Sequence, residues 1–385
     1  MAEAADVNEC QFMSELIDFP ALIAIGLSPA MQAQLACGVA HPQDRPMRLM
    51  AIQRDHLLLH DGRQQHRAQT SGRLLHELQA QGESLAVGDW VLARPQQPVG
   101  CSIQCRLLPT SRILRRVSGG GRAHDNRAST QRQVLVSNVD TALLVMGLDQ
   151  DFQLRRLERY LALLQLAGVA GILVLSMADT LAAAPLVRRL AEASALLPPD
   201  WPVLALDVRL PATARALAPW LQPGQTLVLL GSSGAGKSTL ANSLLQAYSG
   251  VVAQHTGPVR DDDSRGRHTT TVRQLLPLPG AACLIDTPGL RSLRLDLDDA
   301  SQLDEAFADV RRLALHCRFR DCQHMQEPGC AVREGVAAAR LGNYRKLLRE
   351  ARHDKLSPQE RGAQLAEWKA RSRAARVRSQ QKQQD

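Results

Sequence analysis

The residues 231–239 carry the clearest chemistry in the chain: Gly231, Ser232, Ser233, Gly234, Ala235, Gly236, Lys237, Ser238 and Thr239. They fit the pattern G-x-x-x-x-G-K-[S/T], which cradles the phosphates of a nucleoside triphosphate. Glycines let backbone N–H groups close around phosphate oxygens. A lysine at this spacing reaches the β- and γ-phosphates, and the following hydroxyl is a ligand for Mg²⁺. An apolar run, 226–230, enters the loop and a helical run, 239–248, leaves it. That strand–loop–helix context weighs against the plain alternative, a Gly/Ser turn that matches by chance.

Downstream, Cys283-Leu-Ile-Asp286-Thr-Pro-Gly289 reads as an apolar strand ending in a carboxylate and a turn. Alone it is compatible with an ordinary turn. After a phosphate loop it suits Asp286 as a Mg²⁺ partner through water and the Gly289 amide as a γ-phosphate sensor. Between the two lies Arg265-Gly-Arg-His268-Thr-Thr270-Thr271. A threonine hydroxyl there, assigned to Thr270, would complete the Mg²⁺ shell only with the γ-phosphate present, the logic of an order–disorder switch. The set 231–239, 268–271 and 286–289 is similar to the first three motifs of translation-factor-type GTPases.

A second cluster is Cys317-x₄-Cys322-x-His324-x₅-Cys330. Three thiolates and one imidazole form a closed tetrahedral set of the kind found in structural zinc sites, with no position left for a reactive water. Disulfides are the alternative, but they are disfavoured in the cytosol and would strand one thiol. Cys10, Cys37, Cys101, Cys105 and Cys283 show no comparable grouping.

These residues need elements to position them. The 385-residue chain is 45% hydrophobic and 22% charged, the composition of a globular protein of two or three domains. Aromatics make up 3%, which argues against a nucleic-acid surface of stacked rings. A formal charge of +8 suits a polyanionic partner. Residues 1–15 contain acids but no Lys or Arg, unlike a secretory signal, so a cytoplasmic location is expected. The uncharged stretch 160–178 approaches a membrane span in length. Gly168 and Gly171 split it, and Leu154, Leu157, Leu161 and Leu164 recur at helical spacing before them. It therefore reads as a helix followed by a strand, and no membrane partner is expected.

Five segments are expected: a partly ordered leader, 1–46; a small β domain, 47–116; an α/β domain, 117–295; a helical metal-binding domain, 296–355; and a basic tail, 356–385. Apolar runs at 134–136, 142–146, 172–175, 203–206, 226–230 and 283–285 alternate with helical stretches, which predicts a parallel sheet covered by helices. The tail has six basic residues in the fourteen of 369–382 and no acid. It suits salt-dependent RNA contact or simple solubilisation.

Nothing downstream of Gly289 fits the guanine-reading N-K-x-D. Upstream stand Ser176, Met177, Ala178 and Asp179, at the end of the run 172–175. The motif order is then that of a circularly permuted GTPase. This order, with Val87-Gly-Asp-Trp90, Ser137-Asn-Val-Asp140, residues 155–161, the phosphate loop, Gly266-Arg-His-Thr-Thr-Thr271, Asp286-Thr-Pro-Gly289 and the Cys/His spacing, resembles the ribosome small subunit-dependent GTPase A (RsgA/YjeQ) family. The resemblance spans about residues 47–349. It implies a multidomain α/β protein: an N-terminal OB-fold-like β-barrel, a circularly permuted P-loop GTPase domain, and a C-terminal helical zinc-binding module. It also implies a monomer that uses GTP/GDP with Mg²⁺ and one structural Zn²⁺, and that acts on the small ribosomal subunit and its rRNA in late maturation.

One departure is Ser176-Met177 in place of Asn-Lys. Asp179 alone can accept the guanine N–H pair, which adenine lacks, so weaker or relaxed guanine binding is expected. The plain alternative has Asp179 capping the next helix. Leu290 cannot orient water as a glutamine would, so turnover should be slow until a partner docks. His268 is the internal candidate for that role, and the resemblance points to the same position; a solvent-facing loop histidine is its alternative. Two other functions remain in view: a P-loop NTPase with relaxed base specificity, and an RNA-binding assembly factor with a weakened nucleotide site.

Overall fold

The computed structural model describes residues 17–36, 41–96, 100–117, 131–249, 273–288, 295, 300–303 and 306–355. The chain divides into two compact units, Met1–Arg115 with Gln133–Leu293, and Arg116–Arg132 with Arg294–Asp385.

In the first unit, strands β1 (Arg45–Ile52), β2 (Leu57–His60), β3 (Gln65–Thr70), β4 (Trp90–Pro95) and β5 (Cys101–Arg106) form a barrel. β1 pairs with β2, β2 with β3, β3 with β5 in parallel, β5 with β4, and β4 closes back onto β1. Leu49, Leu59, Val91 and Ile103 fill its core, together with Leu74 and Leu78 from the helix Gly72–Ala80. Closure leaves no unpaired edge, which is why short strands suffice. This is the OB-fold-like barrel that the family resemblance implies.

The leader is built into this unit. Helices Phe19–Ile23 and Pro29–Ala36 bury Leu22, Met31 and Leu35. The wholly buried Arg48 guanidinium donates to the carbonyls of Ile25 (2.6 Å), Gly26 (3.0 Å) and Asn138 (3.1 Å). Gly26 is required there: its φ is +86°, and a Cβ would lie 1.9 Å from the Arg48 guanidinium.

Strands β6 (Arg112–Val117) and β7 (Gln131–Ser137) pair with each other as a separate two-stranded sheet. This corrects one expectation, since the run 134–136 was assigned to the parallel sheet. Too few residues separate it from the next strand for a parallel crossover, which needs a dozen or more.

The remaining runs do form the sheet. β8 (Thr141–Gly147), β9 (Ala170–Ser176), β10 (Val203–Ala205), β11 (Thr226–Leu230), β12 (Gln274–Pro277) and β13 (Cys283–Asp286) take the order β10-β9-β8-β11-β13-β12. All neighbours are parallel except β12, which is antiparallel to β13. Every residue of β11 is buried, as a strand covered on both faces requires. β12 also pairs with β1 at Ala51↔Gln274, so the barrel and the sheet share one hydrogen-bonded surface. The stretch 160–178 is the end of the helix Leu154–Ala167, a left-handed Gly168 (φ 63°), and β9. No helix among the described residues is long and apolar enough to cross a membrane.

In the second unit, helices Ala308–Ala314, Ala331–Gly335 and Ala338–Lys355 surround a small core of Phe307, Val310, Val332 and Leu347. Phe307 packs on Tyr344 at 5.2 Å between ring centroids, and Arg340 pairs with Asp309 at 2.7 Å.

Candidate functional site

Three neighbouring parallel strands deliver the nucleotide candidates from their C-terminal ends, the usual place for ligands in open α/β sheets. β11 runs into Gly231 and on to the helix Lys237–Ser249. The loop is tight at its entry: Gly231 has φ +154°, and a Cβ there would stand 2.2 Å from the Val145 carbonyl oxygen. Gly234 (φ +87°) and Gly236 (φ +91°) also lie in the left-handed region, which aims successive N–H groups into one concavity. Lys237 is buried and its ammonium donates back to the Ser232 carbonyl. Burial pulls its pKa down to about 8, against the Asp286 and Asp151 carboxylates. Phosphate oxygens would replace that carbonyl contact with a charge-assisted one.

β13 ends in Asp286, wholly buried, and the Thr287 hydroxyl donates to the Leu229 carbonyl at 2.6 Å. Asp286 and Ser238 are hard oxygen donors of the kind Mg²⁺ prefers, so this donor set fits the ion. Gly289, Leu290, His268, Thr270, Thr271 and the basic tail lie outside the described residues.

β9 brings the base-reading candidates. Ser176 is fully buried, and its hydroxyl donates to the Ala235 carbonyl at 2.7 Å, bracing the middle of the phosphate loop. Met177 takes the left-handed conformation (φ 60°). Ala178 and Asp179 follow in a short 3-10 turn, Ala178–Thr180. Asp179 does not cap the next helix: the helix Ala183–Ser194 has Ala182 at its N-cap and no side-chain cap bond. Asp179 instead receives a hydrogen bond from Arg209 at 2.8 Å. Arg209 also holds both oxygens of Asp207, at 2.8 and 2.9 Å, and so keeps that carboxyl below its usual range. Ala205, Leu206 and Asp207 were the expected base-supporting segment; Arg209 is a part that sequence reading missed.

Two more residues escaped the sequence. Asp151, in the loop after β8, accepts from the Ser232 hydroxyl at 2.5 Å and pairs with Arg156 at 2.6 Å. Both lie close enough to Lys237 for their charges to act on it. The signal available was only a polar pair at the start of a helix, which is common on any surface.

The second unit carries the metal candidates. The ligand atoms of Cys317, Cys322, His324 and Cys330 all lie within 4.8 Å of one another. Cys317 Sγ is 3.6 Å and Cys330 Sγ 3.5 Å from His324 Nδ1, and the two sulfurs are 3.9 Å apart. A tetrahedral zinc with bonds of about 2.3 Å to sulfur and 2.0–2.1 Å to nitrogen puts its ligand atoms about 3.5–3.8 Å apart. The spacing therefore fits the ion. It does not fit a disulfide, which needs about 2.05 Å, and the thiols are free.

Comparisons with known proteins agree with this geometry. The family model described as RsgA GTPase matches residues 122–296. The "Small ribosomal subunit biogenesis GTPase RsgA" of Xanthomonas oryzae pv. oryzae is 41% identical over 343 residues, covering 86% of this chain and 88% of that protein. The protein of the same name from Xylella fastidiosa is 45% identical over 276 residues, 70% of this chain and 76% of its own. Among solved structures, YjeQ from Thermotoga maritima matches with TM-score 0.56 and 21% identity, covering 80% of this chain and 98% of that one. YloQ, a circularly permuted GTPase, matches with TM-score 0.54 and 20% identity, covering 83% and 99%. The two solved structures bear on the fold alone, and that fold is the circularly permuted one.

Proposed function

The chain belongs to the RsgA GTPase family, and on that footing we propose that its hydrolysis of GTP serves late maturation of the small ribosomal subunit, with slow turnover alone and faster turnover on docking. The observation that carries the reading is the convergence of Lys237, Ser176–Asp179 and Asp286 at the ends of β11, β9 and β13, in a family whose curated relatives are named for that subunit. We assign the 231–239 backbone and Lys237 to the β- and γ-phosphates. Ser238 and Asp286, with Thr270, would hold Mg²⁺, which when bound draws charge from the β- and γ-oxygens. His268 is assigned to the attacking water, since Leu290 has no polar atom to orient it. Cys317, Cys322, His324 and Cys330 would hold the structural zinc. The domain boundaries drawn from the sequence, at 46, 116, 295 and 355, stand as part of this reading.

At the base, the observed bond from Ser176 to Ala235 supports a division of labour. Ser176 braces the phosphate loop, and Asp179 reads the guanine N–H groups once one of its oxygens is released by Arg209. GTP turnover of the full chain, with and without small ribosomal subunits and with ATP as control, tests the whole. Stimulation by the subunit of up to ~10⁵-fold is within this chemistry. Equal rates in all arms, or preference for ATP, would overturn it.

A further inference from the structure

β12 and β1 pair at Ala51↔Gln274, and the residues flanking that pair, Ile52 and Arg273, face a cavity of about 430 Å³. Residues 84–87 of the barrel, Arg115 of β6, residues 133–135 of β7 and Pro288 complete its wall. The volume lies within the range of roughly 300–1,000 Å³ typical of small-molecule sites. The wall is largely apolar, with two guanidiniums set into it.

Those two cations lack the anions expected of them. Arg273 Nε is buried with no hydrogen-bond partner. Burial first, and then repulsion from Arg115, pulls its pKa down to about 10, still well above neutrality. Arg115 donates its Nε to the Gln133 side-chain oxygen at 3.0 Å, a neutral partner. Neither guanidinium meets a carboxylate among the described residues. The nearby acids are already committed: Glu83 is shared by Arg106 and Arg112, and Asp89 accepts from the Ser137 hydroxyl and the Ala86 N–H. Two like charges facing one desolvated space cost stability unless an anion arrives to offset them.

We propose that this cavity is a second anion site, distinct from the nucleotide loop, that takes a phosphate group between the guanidiniums of Arg115 and Arg273. A single carboxylate neutralises one cation. A phosphate offers three or more acceptor oxygens to two planar forks, and arginine is the side chain suited to that geometry. The apolar wall leaves room for a sugar or other group on the ester. The site adjoins both nucleotide-sensing segments in the chain: Arg273 directly follows the segment containing Thr270 and Thr271, and Pro288 belongs to Asp286-Thr-Pro-Gly289. The phosphate could belong to a small molecule or to an RNA backbone.

The test uses the full chain saturated with GDP, so that the nucleotide loop is filled. Pyrophosphate, acetate and a short single-stranded RNA are titrated by calorimetry against wild type, Arg115→Gln, Arg273→Gln and the distant surface control Arg73→Gln. The expected result is pyrophosphate binding at one site per chain, weakened at least tenfold by either cavity substitution and unchanged in the control. RNA that competes with pyrophosphate assigns the backbone as the source; pyrophosphate binding without RNA competition assigns a small phosphate. Thermal melts give a second readout: pyrophosphate should raise the Tm of GDP-loaded wild type and not that of Arg273→Gln, and Arg115→Gln serves if that variant fails to fold. Acetate binding as tight as pyrophosphate, no binding at all, or binding indifferent to both substitutions overturns the proposal.

Discussion

The phosphate loop and the Cys317–Cys330 loop both gather polar groups around an ionic centre, yet they hold their shape by opposite means. The first is anchored by its surroundings. It leaves a fully buried strand, enters a helix, and has Gly231, Ser232, Ala235 and Lys237 buried along the way. The second has a single buried residue from 317 to 330, Cys330 itself. No hydrophobic packing sets the positions of Cys317, Cys322 and His324, and His324 sits at a strained φ of 57°. The phosphate site is therefore formed before its ligand arrives. The thiol site needs the ion to exist.

The largest effect should follow from breaking the second loop. Replacing Cys322 by Ser, or stripping the metal with a chelator, removes ligation worth about 10–16 kcal/mol in comparable peptides. Elemental analysis should show one zinc per chain in wild type and none in the variant. Limited proteolysis should then open residues 306–355 while GDP binding persists. If the 306–355 segment stays protected without metal, its small core around Phe307 suffices and the contrast between the loops fails.

Breaking the first loop should do the reverse, with activity lost and fold kept. Lys237→Ala removes a cation whose burial already depresses its pKa, so the folded state loses no favourable partner beyond the Ser232 carbonyl. Removing one such stabilising group from a phosphoryl-transfer site costs about 10²–10³ in turnover. Single-turnover GTP hydrolysis should show that loss, and the Tm should hold or rise. A lowered Tm with intact turnover would mean that the lysine is structural.

What was legible in the sequence follows the same division. Gly231, Lys237 and the Cys/His set could be read because their chemistry fixes residue type and spacing together. The barrel strands were legible only as short apolar runs, since the closure of β4 onto β1 is a long-range pairing that leaves no local mark. The run 134–136 was misplaced because burial alone does not say which sheet a strand joins. Arg209, Asp151 and Arg156 were missed because an isolated charge near a loop has no signature until the fold sets it beside a carboxylate or a phosphate loop. Ser176 was judged too short for the work of asparagine. The structure shows that one of the tasks in that position, holding the Ala235 carbonyl, needs only a hydroxyl.

That last point makes a sharper comparison, between bracing and reading. Ser176→Ala removes a buried bond worth about 0.5–1.5 kcal/mol net and leaves the Ala235 carbonyl without that donor. Affinity should fall roughly tenfold for GDP and ADP alike, because the loss acts through the phosphate loop. Equal loss for the two nucleotides supports bracing; a loss confined to GDP would make Ser176 a reader.

The smallest effect should come from Arg209. Its bond to Asp179 is an exposed one, with side chains 65% and 42% accessible, and such pairs contribute about 0.2–1 kcal/mol. Guanine needs both oxygens of Asp179, whereas Arg209 occupies Oδ2. Arg209→Ala should therefore tighten GDP by a few-fold at low salt, leave ADP unchanged, and lose its advantage as salt screens the wild-type pair. If GDP binds more weakly instead, Arg209 orients Asp179 rather than competing with the base, and the guanidinium belongs to the reading apparatus itself.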